Sequence, residues 1–215
     1  MPHILHFVRH GQTTWNKEGR MQGRTMDAPL TEAGVEHARL NAQAVAREGI
    51  DAIIASPLGR VRASAQPLCE LTGLTPSFDD RLMEWDGGDW SNSLYREVPT
   101  RWPDAWAKWE DDPWTHGPPN GENLTQLQAR GKLAVQDVLR QGADRVAIVS
   151  HGFIGRIMMG ALLRLSNLES QNIETPNDRV HTLHRDGEGW RVERMDAGGL
   201  PQPGLVFKDG RTFVA

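Results

Sequence analysis

The chain has 215 residues, a net charge of −4 and one cysteine, Cys69, which excludes an internal disulfide. Its length allows a core without bridges or structural metals, and its acidic balance argues against a general nucleic-acid or anionic-membrane binder, either of which wants a basic face. No run approaches the roughly 18 apolar residues of a membrane span.

Residues 3–9 are rich in β-formers and stop abruptly at His10-Gly11, so they predict a strand running into a loop. Residues 1–7 lack a basic region and a small-residue cleavage site, which favours a first strand over a signal peptide and leads to the expectation of a soluble cytoplasmic protein. Gly19, Gly23, Asp27 and Pro29 predict a loop over 17–30. Thr31 reads as an N-cap for a helix that runs to Glu48 and is closed by Gly49. Residues 52–55 form a short apolar strand. Ser56-Pro57 then reads as N-cap and first position of a helix ending near Gly73. Cys69, inside that helix, reads as a small buried hydrophobe. Another short strand falls within 74–83.

Residues 85–120 differ in composition. They hold six of the eight tryptophans, together with Pro99, Pro103, Pro113 and the Pro118-Pro119 pair. This predicts a helical, Trp-rich lid inserted into a single domain spanning 1–215. Trp102, Trp106 and Trp109 fall at i, i+4 and i+7, one helical stripe. Burial onto the domain is the default for such a stripe; an apolar substrate wall is the sharper alternative. A helix over about 122–141, an apolar strand over 146–149, a helix over about 153–165 and a hairpin over 179–195 follow. Strands alternating with helices predict a three-layer α/β sandwich with a mostly parallel central sheet and helices on both faces.

In such sheets ligands bind beyond the carboxyl ends of the strands. Arg9-His10-Gly11, the segment from Ser56 to Arg62, and Ser150-His151-Gly152 all fall there. A neutral imidazole is a competent nucleophile near pH 7. Arg9 and Arg60 can neutralise phosphate oxygens through forked hydrogen bonds. Arg60, in the first turn of its helix, also has free backbone N–H groups nearby, and a protonated His151 adds a donor. Gly11 allows a ligand to approach the backbone. His10 as a plain loop residue, or His10 and His151 as metal ligands, are the alternatives. Two arginines at the same edge disfavour a cation, and no H-x-x-x-H or cysteine cluster appears.

The run from Phe7 to Asn16 resembles the signature of the histidine phosphatase superfamily, the phosphoglycerate-mutase-like fold. The resemblance continues through Pro29 to Gly34, Ser56 to Ala65, Leu82-Met83-Glu84, Gly121-Glu122 and Val149 to Gly152, in the family's order. It implies that His10 is the phosphorylated nucleophile, that Arg9, Arg60 and His151 form the phosphate pocket, and that Glu84 is the proton donor. Asn16 matches a phosphate-contacting position, with Gln22, Gly23 and Gly152 as lining groups. No metal or other cofactor is implied. Gln12 stands where the family usually has Glu, Asn123 where Ser is common, and the run from Gly88 to Asn92 lacks a usual glycine.

The expected activity is that of a histidine-type acid phosphatase, or phosphomonoesterase, on a small organic phosphate. The alternatives are a cofactor-dependent phosphoglycerate mutase and a non-catalytic phosphoester-binding protein. Family mutases grip a carboxylate with an adjacent arginine pair. Here Glu110 and Asp111 align in that place and would repel a carboxylate. The expected partner is a small-molecule phosphate ester, with no nucleic acid or membrane and with a homodimer left open.

Overall fold

In a computed structural model, which describes residues 1–24 and 28–214, seven strands form one sheet in the order β3-β2-β4-β1-β5-β6-β7. Strands β1 (Ile4–Arg9), β2 (Ala52–Ala55), β3 (Ser77–Phe78) and β4 (Arg145–Ser150) are mutually parallel. Strands β5 (Arg179–Asp186), β6 (Gly189–Asp196) and β7 (Gln202–Pro203) extend the sheet antiparallel.

Because side chains alternate along a strand, the parallel strands feed two cores. Val8, Ile53, Ala55, Ala147 and Val149 pack with Ala42, Val45, Val61, Ala65 and Leu68. These last five belong to α2 (Glu32–Arg47) and α3 (Gly59–Thr72). Leu5, Phe7, Ile54, Val146 and Ile148 join the larger core on the opposite face. That face is covered by α6 (Leu124–Arg140) and α7 (Gly152–Leu162). The expected three-layer α/β sandwich is therefore the architecture.

Thr31 caps α2 as predicted, its side chain accepting from Gly34 N. Helix α3 is a correction: it starts at Gly59, with Leu58 as the cap, two residues beyond the expected first position. Ser56 does not cap it: its hydroxyl pairs with His151 Nε2 and accepts from Leu58 N, the cap residue itself, at 3.4 Å. Cys69 is half-buried rather than buried. The segment expected as a loop over 17–30 begins inside a helix: α1 (Thr14–Glu18) runs into it and is closed by Gly19 with a left-handed φ of 70°, and Asp27 lies outside the described residues.

The Trp-rich segment contains α4 (Val98–Arg101) and α5 (Pro103–Asp111). Its tryptophans pack on one another and on the main core. Trp109 lies 4.9 Å from Trp85 and 5.8 Å from Trp90, and Trp106 5.6 Å from Trp90, between ring centroids. The stripe Trp102, Trp106 and Trp109 is half-buried against that core. Helix α8 (Asn167–Asn172) and the tail strands β8 (Leu205–Val206) and β9 (Thr212–Phe213) were not expected. Among the described residues no helix is long and apolar enough to cross a membrane.

Candidate active site

The carboxyl ends of β1 and β4 lie side by side, with Arg9 opposite Ser150. The chain leaves both strands there, and His10 N donates to Ser150 O at 3.0 Å. This puts His10 beside His151, ring centroids 5.2 Å apart and edge-to-face. The glycine of the first turn serves a different purpose from the one expected. A Cβ on Gly11 would overlap the Gly34 carbonyl, and one on Gly34 the Gln12 carbonyl. A close approach between two backbones thus requires both glycines. Gly11 N donates to Ser64 Oγ at 3.0 Å, which ties the turn to α3. Gln12 stays out of the pocket: its Oε1 accepts from Thr31 Oγ1.

A pocket of about 390 Å³, open mouth included, lies over this turn. Its wall includes Arg9, His10, Asn16, Gln22, Gly23, Arg60 and Glu84, residues that are widely separated in sequence. His151 stands behind the wall in contact with His10. Gly152 is the exception among the predicted lining groups. It packs against Arg9, where a Cβ would come within 3.3 Å of Cζ.

His10 is 2% exposed and its Nδ1 lies 2.8 Å from Gly11 O. A carbonyl only accepts, so Nδ1 carries the proton and Nε2 keeps its lone pair. Burial pushes the His10 pKa well below the ordinary imidazole value, reinforced by Arg9 and Arg60. His151 is held low in the same way, by burial and then by Arg60, His10 and Arg9. Its Nε2 pairs with Ser56 Oγ at 2.8 Å. The free site thus holds two neutral imidazoles between arginines.

Those arginines are themselves under electrostatic stress. Burial lowers Arg9, with Glu84 opposing the shift. Burial lowers Arg60 to about 10, with Arg9 adding to the effect. Arg9 Nη1 donates to Thr175 O at 2.6 Å, and Arg60 Nη2 to Gly23 O at 2.7 Å. Desolvated cations held close together gain from a bound anion. Asn16 Oδ1 accepts from Thr13 N, and Gln22 Oε1 accepts from the Thr13 hydroxyl. The turn thus orients both amides by their oxygens, which leaves their NH₂ groups to meet an anion.

Glu84 sits at the N-terminus of α7. Its carboxylate accepts from Phe153 N at 3.1 Å, Ile154 N at 3.2 Å and Trp85 N at 3.0 Å. His151, the cap position, makes no side-chain cap bond. A residue from a distant loop therefore does the capping, which satisfies donors that a helix end leaves open.

Several groups at the site carry no sequence signal. Tyr95, Trp85, Phe153, Met21 and Arg20 complete the pocket wall. Tyr95 is about half exposed, with Glu84, Arg9 and Arg156 near enough to act electrostatically on its hydroxyl. Asn177 Nδ2 donates to His10 O at 2.8 Å, and Arg156 Nη2 to Thr175 Oγ1 at 3.2 Å. Thr175 and Asn177 come from a segment with no strong periodicity, so only the folded chain reveals them. Glu110 and Asp111 are exposed and do not belong to the described pocket wall. Among the described residues no group of three His, Cys, Asp or Glu is placed to hold a metal ion.

The family profile of the histidine phosphatase superfamily (branch 1) matches residues 5–198. The chain belongs to that superfamily. Phosphoserine phosphatase 1 of Hydrogenobacter thermophilus is 36% identical over 183 residues, 85% of this chain and 86% of the relative. A Yersinia pestis protein named "Probable phosphoglycerate mutase GpmB" is 32% identical over 217 residues, 94% of this chain and 96% of the relative. Among solved structures, a mycobacterial glucosyl-3-phosphoglycerate phosphatase superimposes with a TM-score of 0.80 at 28% identity. The match covers 91% of this chain and 100% of that one. Superfamily membership accounts for the order of the motif blocks, and three of them, those carrying Arg9-His10-Asn16, Arg60 and Glu84, supply the pocket wall.

Proposed function

We propose that the protein hydrolyses a phosphomonoester of a small organic alcohol through a phosphohistidine on His10. The observation that carries this is the His10 tautomer. With Nδ1–H committed to Gly11 O, the unprotonated Nε2 is available in a pocket walled by Arg9 and Arg60. The Nε2 lone pair attacks phosphorus, the ester P–O bond breaks, and Glu84 gives its proton to the departing alkoxide. The Glu84 carboxylate then takes a proton from water as that water attacks phosphorus. The P–N bond breaks, phosphate leaves, and both residues return to their starting states. The arginines supply the charge that a phosphoryl transfer requires. His151 gains a reason to accept a proton once a dianion sits beside it. Trp85, Tyr95, Phe153 and Met21 offer an apolar surface to the alcohol portion.

The mutase reading keeps one supporting observation, the name of the Yersinia pestis relative. Against it, Arg20 is the one further arginine on the described wall besides Arg9 and Arg60. It is already bound to Glu18 Oε2 and Asn92 O. A non-catalytic binder has no use for a nucleophile and an acid on one wall.

Two measurements test the proposal. Rapid quenching with labelled substrate traps label that is acid-labile and base-stable in the wild type and none in His10→Ala. Acid-stable label overturns the assignment. Phosphate release from the best monoester outpaces isomerisation of primed 3-phosphoglycerate; the reverse order makes the protein a mutase.

A further inference from the structure

The Gly121-Glu122 motif has no place in the chemistry above, and the structure gives it one. The loop that carries Glu84 has no strand ladder to hold it. Instead, four successive carbonyls are taken by side chains. Arg130 Nη1 donates to Arg81 O at 2.7 Å and to Met83 O at 2.6 Å. Ser150 Oγ donates to Leu82 O at 2.8 Å, and Arg130 Nη2 to Glu84 O at 2.9 Å. The remaining donors of Arg130 meet Glu122, Nε on Oε1 at 2.8 Å and Nη2 on Oε2 at 2.9 Å. All five N–H groups of the guanidinium are thereby used, the most that the side chain can offer.

Glu122 closes the clamp from the other side. Its backbone N donates to Asp86 O at 2.9 Å, and Trp85 Nε1 donates to its carbonyl. Gly121 allows that approach, since a Cβ there would come within 2.6 Å of Asp86 O and 2.9 Å of Gly88 N. Arg130 and Glu122 are 14% and 10% exposed in their side chains, so the pair neutralises itself away from bulk water.

We infer that Arg130, seated on Glu122, is the positioning residue for the Glu84 acid: it fixes the backbone from Arg81 to Glu84 so that the carboxyl group meets the leaving oxygen. Arg130 touches no substrate. The inference rests on the reading of Glu84 as proton donor. A residue that only stabilises the fold slows every substrate alike. A residue that positions the acid slows those whose leaving group needs a proton. Alkoxides need one and nitrophenolate does not, and acid assistance is typically worth about 10²–10⁴-fold.

The test is the first-turnover burst of Arg130→Lys on an alkyl phosphate and on p-nitrophenyl phosphate, beside Glu84→Gln and the double variant. Lysine keeps the charge opposite Glu122 but has three donors where five are needed. Glu84→Gln loses far more on the alkyl ester. Arg130→Lys follows the same pattern, with a loss on the alkyl ester about tenfold or more beyond that on the nitrophenyl ester. In the Glu84→Gln background the lysine substitution adds at most about a twofold further loss, since both changes act through one group. Equal losses on the two esters, or additive losses in the double variant, overturn the inference. If Glu84→Gln itself fails to discriminate, the acid assignment falls and this inference with it; if only Arg130→Lys fails to discriminate, the acid assignment stands alone. Should Arg130→Lys not fold, Glu122→Gln loosens the seat while keeping Arg130. The same discrimination at smaller size is then expected, and its absence overturns the clamp.

Discussion

His10 spends its Nδ1 proton on its neighbour's carbonyl, and burial with Arg9 and Arg60 keeps the ring neutral. The sign of that shift fixes a prediction. A pKa pushed well below 6.5 means that Nε2 stays unprotonated as the pH falls through the ordinary imidazole range. It is lost as a nucleophile only at the lower value. Nitrogen NMR of labelled histidine in the free enzyme should show His10 Nε2 as a pyridine-type nitrogen from pH 7 down past pH 6. Titration near the ordinary value, or a proton on Nε2 at pH 7, would remove the basis of the mechanism. At this scale the sequence carries the groups lying in short local blocks: Arg9-His10, Arg60, Glu84 and His151. It does not carry Arg130, Tyr95, Thr175 or Asn177. Arg130, Thr175 and Asn177 meet Glu84, Arg9 and His10 across 46 or more residues of chain, and Tyr95 enters by its place on the pocket wall. No periodicity encodes that.

The two elements that meet behind the nucleophile are separated by the thickness of a glycine. Gly34, in the first turn of α2, leaves no room for a Cβ against the Gln12 carbonyl, and that obstacle is backbone. Gly131, in α6, faces the Ile154 Cδ1 at 2.9 Å, the far end of a flexible side chain on α7. The two positions should therefore respond differently to the same change. Gly34→Ala should destabilise the fold by about 1–3 kcal/mol or more through overpacking and slow the His10 burst by displacing the turn. Gly131→Ala gains up to about 1 kcal/mol of helix propensity, offsetting the shift of one methyl group, so its melting temperature should stay near the wild type. Thermal unfolding of both variants decides the matter, and a tolerated Gly34→Ala would mean that the turn is not set by this contact. Element boundaries were legible where a local signal is strong, as at Thr31, Gly49 and Gly73. They failed at Ser56, whose hydroxyl serves His151 across the sheet. Helix α8 had a readable signal that was missed, the Ser166-x-x-Glu169 capping box. The tail strands had none, since two residues show no period.

The molecule as a whole buries more imidazole than its chemistry uses. Besides His10 and His151, burial lowers His6 to about 4, aided by His184 and Arg145, and His181 to about 3, aided by Arg179 and Arg194. All four are about 2% exposed or less. Unfolded, each takes up a proton near 6.5; folded, each resists. The unfolded state therefore binds more protons once the pH drops below 6.5, and stability falls with it. Each such group contributes a slope approaching about 1.4 kcal/mol per pH unit. For His6 the slope runs from 6.5 down to about 4, a total near ~3 kcal/mol. Carboxylates held low by arginines, such as Asp79 and Asp196, add losses only in more acid solution. Urea unfolding at pH 7, 6 and 5 should thus show a steep decline beginning near 6.5 rather than near 4. His6→Gln, whatever its effect at pH 7, should flatten that decline by about 1.4 kcal/mol per unit, because it removes one group that the unfolded chain protonates and the folded chain does not. An unchanged slope in His6→Gln would mean that His6 is protonated in the folded protein, in which case Thr182 Oγ1 would have to accept from its Nδ1, and the stability attributed to its neutral form would have to be sought among the other three.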